Sequence, residues 1–461
     1  MSARPDPQLD HEMENRVSSW LTDTDLSPDE ATAGLDRLLH EFPVAPQARR
    51  RFLGRWLDRD EGAGRRTADH DPPPGNNRRS RLMLSATGIT TALAVLVLAV
   101  NVSTDTEPPS TGAEAGTDHY VVADGSGDYE SIQAAVDAAE DGDSVLIASG
   151  TYTESVLVDK DLVIAGLGGS PATVIVHIPD DGPTGLFKGM SLQYGFWFED
   201  ADAEIANLTI KGPAASVSAL VAMGGELFAH GIVEDLDPYT YWPYGFLYMD
   251  GDATGVIHGN TSKAFVWIDG EATPTVRENT IHNVIRNDGD SAAYIHDNDL
   301  GGIWSRGTST PRIENNRIDY ANNGGADGGF SICGIEVNEP QTRPTIIGNT
   351  ILNATTGICV AGATPVEISG NSLADNDTAI TLSKTEASAT GNDISGEGHG
   401  ISVNVTGSPM VSGNTIDVGR NGIVVSKGAS PLVEGNTVCG GENTLLVAEG
   451  SEAVVRDNDV C

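Results

Sequence analysis

The chain has 461 residues, a formal net charge of −39 and 39% hydrophobic residues. That apolar content excludes wholesale disorder, and the negative charge excludes a nucleic-acid binder, because phosphates would be repelled. The charge is uneven: residues 1–81 hold 13 Arg, no Lys and 15 acids (net −2), while the other 380 hold 14 basic and 51 acidic groups (net −37). Two differently made parts therefore meet near residue 81.

Residues 1–61 read as a small helical segment. Leu35, Leu38, Leu39 and Phe42 recur at helical spacing, and Ala48, Phe52, Leu53, Trp56 and Leu57 form a second stripe flanked by Arg49, Arg50, Arg51 and Arg55. A basic linker, 62–81, leads to Leu82–Val100, nineteen residues without a charge. That length matches the ~30 Å hydrocarbon core of a bilayer. Arg78, Arg79 and Arg81 precede the run and Asp105 and Glu107 follow it. Positive charge stays inside, so the expectation is a single-pass plasma-membrane protein with its N-terminus cytoplasmic. The layout resembles the cytoplasmic stubs of membrane-tethered anti-sigma factors; with no Cys before residue 333, their zinc-binding form is excluded. The cytoplasmic partner is unknown. A second linker, 101–118, follows.

From residue 119 to 461 the chain repeats. Asn279, Asn298, Asn316, Asn349, Asn371, Asn392, Asn414, Asn436 and Asn458 each precede an apolar residue two places on, at spacings of 19, 18, 33, 22, 21, 22, 22 and 22. The spacing of 33 places eleven extra residues in a loop, Tyr320–Ser331. A second phase, Gly–apolar–x–apolar, surrounds Ile335, Ile358, Ile380, Ile401, Ile423 and Leu445. Short alternating strands at a period near 22 predict one turn of a parallel β-helix per repeat, with stacked Asn side chains bonding between turns. Ahead of the repeats, Ile132, Ala135, Val136 and Ala139 share one face of a short helix suited to plugging the open end.

The segment "VVADGSGDYESIQAAVDAAEDGDSVLIASGTYTESVLVDKDLVIAGLG" resembles the opening of pectin methylesterase-type β-helix proteins. The later repeats resemble the broad set of parallel β-helix domains implicated in carbohydrate binding and sugar hydrolysis. The resemblance implies an all-β, right-handed solenoid. The esterases' "GNVDFIFG"-like strand and "QDT"-like turn do not occur, so no catalytic residue is carried over.

In four successive repeats the residue two places before the ladder Asn, expected to point outward, is His258, Arg277, His296 and Glu314. These are candidate catalytic groups: His or Glu as acid or base, and Arg277 on an anionic group. The opposing reading is a solvated polar strand face. Twelve of the 25 aromatics fall between Phe187 and Tyr248. Among them Tyr239, Tyr241, Trp242, Tyr244 and Tyr248 are candidate sugar-stacking residues, or else a mini-core under an insertion. Asp250 with Asp252, and Asp269 with Glu271, are spaced to offer Ca²⁺ carboxylate oxygens. Cys439 and Cys461, one period apart, are expected to form a disulfide. Cys333 and Cys359 differ by three positions in phase and are expected unpaired.

The function these features imply is recognition of a polysaccharide, neutral or else acidic with Ca²⁺ bridging. A lyase, epimerase or hydrolase using the outer column is the enzymatic alternative, and a rigid stalk or adhesin the structural one.

Overall fold

The computed structural model describes residues 116–213, 217–236, 244–320, 333–362 and 365–461. The expectations for the helical segment 1–61, the linker 62–81, the membrane span 82–100 and nearly all of the linker 101–118 lie outside these residues, as does most of the Tyr320–Ser331 loop. Among the described residues no helix is long and apolar enough to cross a membrane.

Alternating apolar residues make short strands, and Gly and Asn turn the chain between them. Among the described residues the strands form a fifteen-stranded sheet A and a twenty-six-stranded sheet B, wound as a right-handed parallel solenoid of about 14 turns. Pairing is parallel except where Thr184–Phe187 runs antiparallel to Met190–Glu199. Ile257, Val276, Ile295 and Ile313 stack inward in one register and are fully buried.

The plug is helix α1, Ile132–Ala138. Seven residues are too few for an isolated helix, so its ends are held from outside. The Glu154 carboxylate accepts from the Ile132 and Gln133 amides, and Lys160 donates to the carbonyls of Val136 and Asp137. Ile132, Ala135, Val136 and Ala139 are all buried, against the mouth of the coil.

The Asn ladder runs from Asn260 through Asn458. Each Asn Nδ2 donates to the Oδ1 of the next at 2.8–3.0 Å. The left-handed residue is the one before each Asn: Gly259, Gly348, Gly370, Gly391, Gly413 and Gly435, but Glu278, Asp297, Asn315 and Asp457 elsewhere. This explains why Gly replaces Glu278 and Asp297 in most later turns.

Both cysteine pairs are bonded. Cys439 and Cys461 join with Cα atoms 4.7 Å apart. Cys333 and Cys359 also join, at 6.0 Å, which corrects the expectation that they stay unpaired. Three positions of straight strand would separate them by roughly 10 Å. The strands are not straight there: pairing steps over Gly334 and Gly357 with the register kept on either side, as it does at Ala379 and Gly400 in the following turns. A Cβ on Gly334 would meet the Gly357 carbonyl at 2.9 Å, so only a small residue fits the irregularity. Counting phase along an ideal strand missed this step.

Candidate functional site

The ionisable column forms on the outer face of sheet A, and it is longer than the sequence indicated. His230, His258, Arg277, His296 and Glu314 pair in one register across five consecutive strands, at about 4.8 Å per step. His230 was missed because its turn lacks a ladder Asn; at the equivalent corner stands Gly231–Ile232. The chemistry-bearing residues two places earlier in each strand were missed as well. They make a second outward column of Glu204, Phe228, Val256, Thr275, Tyr294 and Arg312. Reading that second outward phase beside the first would have found them.

The two columns interlock. The His230 and His258 rings stack with centroids 5.1 Å apart, and His230 Nε2 lies 3.2 Å from Glu204 Oε1. Tyr294 stacks on His296 at 4.1 Å and donates its hydroxyl to Glu314 Oε2 at 2.8 Å. Arg312 pairs with Glu314 Oε1 at 2.6 Å and covers the Tyr294 ring. At the left-handed corners, Glu278 pairs with Arg277 at 3.1 Å and Asp297 with His296 Nδ1 at 2.8 Å. Both corner carboxylates are about half exposed, at 49% and 50%.

Burial, with the neighbouring His230 and the positive Arg277, holds the His258 pKa down at about 3. Burial and the hydrogen bond to Glu314 push the Tyr294 phenol up to about 12. At neutral pH the face therefore presents a neutral imidazole at His258 and a protonated phenol at Tyr294.

The aromatic candidates do not join this face. Tyr248 is fully buried in a second core with Phe187, Tyr194, Trp197, Phe265 and Trp267 on sheet B. The reason is local: the antiparallel hairpin carries Phe187 down onto Tyr248, centroids 4.6 Å apart. This corrects the sugar-stacking reading for Tyr248 and favours the mini-core. Tyr239, Tyr241, Trp242 and the side chain of Tyr244 lie outside the described residues.

The structure brings Asp250 and Asp269 together, but on an ammonium group. Lys188 Nζ, at the hairpin tip, lies 3.1 Å from Asp250 Oδ1 and 3.4 Å from Asp269 Oδ1. Their oxygens also accept the turn amides of Gly251 and Gly270. Asp252 and Glu271 are exposed, and among the described residues no group of three or more His, Cys, Asp or Glu could hold a metal ion. The Ca²⁺ reading thus gains no ligand set here.

Sheet B has its own outward column, in which Trp267, Arg286, Trp304 and Glu336 pair in register. Arg286 lies 4.3 Å over the Trp267 ring. The Gly–apolar–x–apolar phase reaches only its last member, Glu336, at x after Ile335; Trp267, Arg286 and Trp304 lie in turns that lack the motif. Both Trp side chains are only 6% exposed, too covered to stack a sugar ring.

Comparison with known proteins fits this geometry. A model described as right handed beta helix region matches residues 247–387 and 333–460. The solenoid has the parallel β-helix fold, and the matched residues cover its later turns. Among solved β-helix structures, the periplasmic alginate epimerase AlgG matches with a TM-score of 0.51 at 14% identity, covering 67% of this chain and 85% of that one. At that identity the likeness is one of fold. XylC in complex with xylose matches with a TM-score of 0.38 at 12% identity, over 75% of this chain and 86% of that one. The GH136 lacto-N-biosidase from Eubacterium ramulus matches with a TM-score of 0.36 at 13% identity, over 75% and 67%. No curated protein matches the sequence.

Proposed function

We propose that the outer face of sheet A between residues 203 and 314 binds a polysaccharide, on an ectodomain tethered to the plasma membrane by Leu82–Val100. The observation that carries this is the joint register of five ionisable side chains beside the partly exposed rings of Phe228 and Tyr294. The Phe228 ring can accept the apolar face of a sugar. The exposed Arg312 with the half-exposed carboxylates of Glu278 and Asp297 supplies donors and acceptors for hydroxyl groups, while His296 and Glu314 are themselves buried. A linear polymer laid across the strands would meet one such group per turn. AlgG and XylC are carbohydrate proteins by their names; the argument for this chain rests on its own face.

The direction of its pKa shift argues against His258 as a general acid or base at neutral pH. A general acid or base works best with a pKa near the working pH. Here His258 is driven down to about 3 and Tyr294 up to about 12, both away from neutrality. The local charge favours a neutral polymer. Arg277 and Arg312 face Glu204, Glu278, Asp297 and Glu314, and the rest of the ectodomain is strongly acidic. An acidic polymer would require Ca²⁺ between the two surfaces.

The test mixes the full-length protein with labelled neutral and acidic polysaccharides, with and without Ca²⁺, and follows co-migration and polymer length. Co-migration of an intact neutral polymer is the expected result. Shortened or epimerised chains would replace this reading with the enzymatic one, on His258, Arg277, His296 and Glu314. Failure of every polymer to co-migrate would leave the stalk.

A further inference from the structure

We propose that the solenoid binds ordered water in its interior, in a polar pocket built by two consecutive turns at residues 287–309. The inward register Ile268, Asn287, Ser305, Val337 runs through the apolar core, yet its two middle members are polar. The same happens at the following corner. Ala272, Ser291, Ser309 and Thr342 hold equivalent places in the turn, each amide donating to the carbonyl three residues back. Asn287, Ser291, Ser305 and Ser309 are all 0% exposed.

None of their polar side-chain atoms finds a partner within the protein: Asn287 Oδ1 and Nδ2, and the Oγ atoms of Ser291, Ser305 and Ser309. Thr342, one turn on, satisfies its hydroxyl on the Gly307 and Asn338 carbonyls. Along these two inward positions the orphaned groups are thus confined to two adjacent turns. Left dry, each would cost about 1–3 kcal/mol, and neighbouring turns show that Ile, Val and Ala fit the same places. Five such atoms on four clustered side chains suit about two waters, each making roughly three hydrogen bonds. The four lining side chains are neutral and offer donors as well as acceptors, as water requires. Asp288 Oδ1 and Arg306 Nε, the next residues along each turn, are buried without a partner too. They extend the polar cluster toward the solenoid surface.

Oxygen-17 relaxation dispersion of water, measured on the full-length protein, counts waters held for microseconds or longer. The signal is expected to fall by about half or more in Asn287→Leu/Ser305→Val relative to wild type, in line with the loss of two of the four lining side chains. An unchanged signal would overturn the proposal. Should that pair fail to fold, Ser291→Ala and Ser309→Ala are milder. With water present their melting midpoints fall, because the water loses a partner. In a dry pocket they rise, because an orphaned hydroxyl is removed, and a rise overturns the proposal. A midpoint in wild type that climbs with added Na⁺ or K⁺, at constant ionic strength, would mark a cation and overturn it as well.

Discussion

Sheet A contains its own control. The turns before residue 320 and those after residue 345 share the Asn ladder and the inward aliphatic column, but their outward residues differ. The column that reads His230, His258, Arg277, His296, Glu314 continues as Ile347, Ser369, Thr390, Ser412 and Glu434. From Ser369 to Ser412 the coil forms with small neutral residues at these positions, while Glu434 and Arg456 at the far end of the column pair with each other. The corners tell the same story: five later turns place Gly at the left-handed position, while Glu278 and Asp297 keep a side chain there at roughly 1–2 kcal/mol of backbone cost. Asn315 and Asp457 share the left-handed corner, and beside Arg277 and His296 the carboxylates of Glu278 and Asp297 stay half exposed.

The largest expected effect should be blind to this difference. Asn298→Ala and Asn392→Ala each remove a buried amide that donates to a core carbonyl and to the next ladder Asn, and accepts from the one before. Each should cost roughly 2–5 kcal/mol in denaturant unfolding, to a similar extent in both regions. A ladder substitution harmless in one region alone would break the comparison.

Next comes a pH effect confined to the earlier turns. His258 has a folded pKa of about 3, against about 6.5 when unfolded. Its neutral form is the one the fold prefers. The stabilisation is present above pH 6.5 and is lost as pH falls from there through 3, by on the order of 5 kcal/mol. His258→Gln should flatten that part of the melting-temperature profile, while Thr390→Gln, in the same column of a later turn, should leave it alone. A profile unchanged by His258→Gln would mean that its burial carries no such coupling.

The solenoid was legible in the sequence because repetition multiplies a weak signal. One Asn before an aliphatic residue means little; nine of them near a 22-residue period fix strand phase, inward face and ladder together. Reading failed where an ideal straight strand was assumed. The Cys333–Cys359 bond crosses the recurring step in pairing at Gly334 and Gly357, which phase counting along a straight strand leaves out. Tyr248 was read as a loop aromatic because nothing local reveals that a hairpin 60 residues earlier, at Phe187, will cover it. The register of one outward column was legible and that of its neighbour was not, because ladder Asn residues pointed to His258, Arg277, His296 and Glu314 but not to Tyr294 or Arg312.

On the proposed face, Arg277→Ala should weaken polysaccharide binding by about 10- to 100-fold, the worth of a charged hydrogen bond, as titrated by co-sedimentation. Thr390→Ala should not weaken it. Glu278→Gly separates stability from binding: relief of the left-handed corner should add about 1 kcal/mol of stability, while loss of the carboxylate reduces binding. Gains in both together would mean that the carboxylate serves neither purpose.

The smallest global effect belongs to the far end of the later region. Cys439→Ser removes the bond that closes a loop of one period around the last turn. In the chain-entropy picture that bond contributes about 3 kcal/mol against local opening. A solenoid is held by nearest-neighbour contacts, so the loss should remain at its end. Hydrogen exchange should speed up at Thr437, Asp459 and Cys461, whose amides bond between the last turns. It should stay unchanged at Thr280 and Asp299, and the main melting midpoint should barely move. A large fall in that midpoint would show that the terminal turn supports the whole coil, and that the two regions of sheet A are one cooperative unit after all.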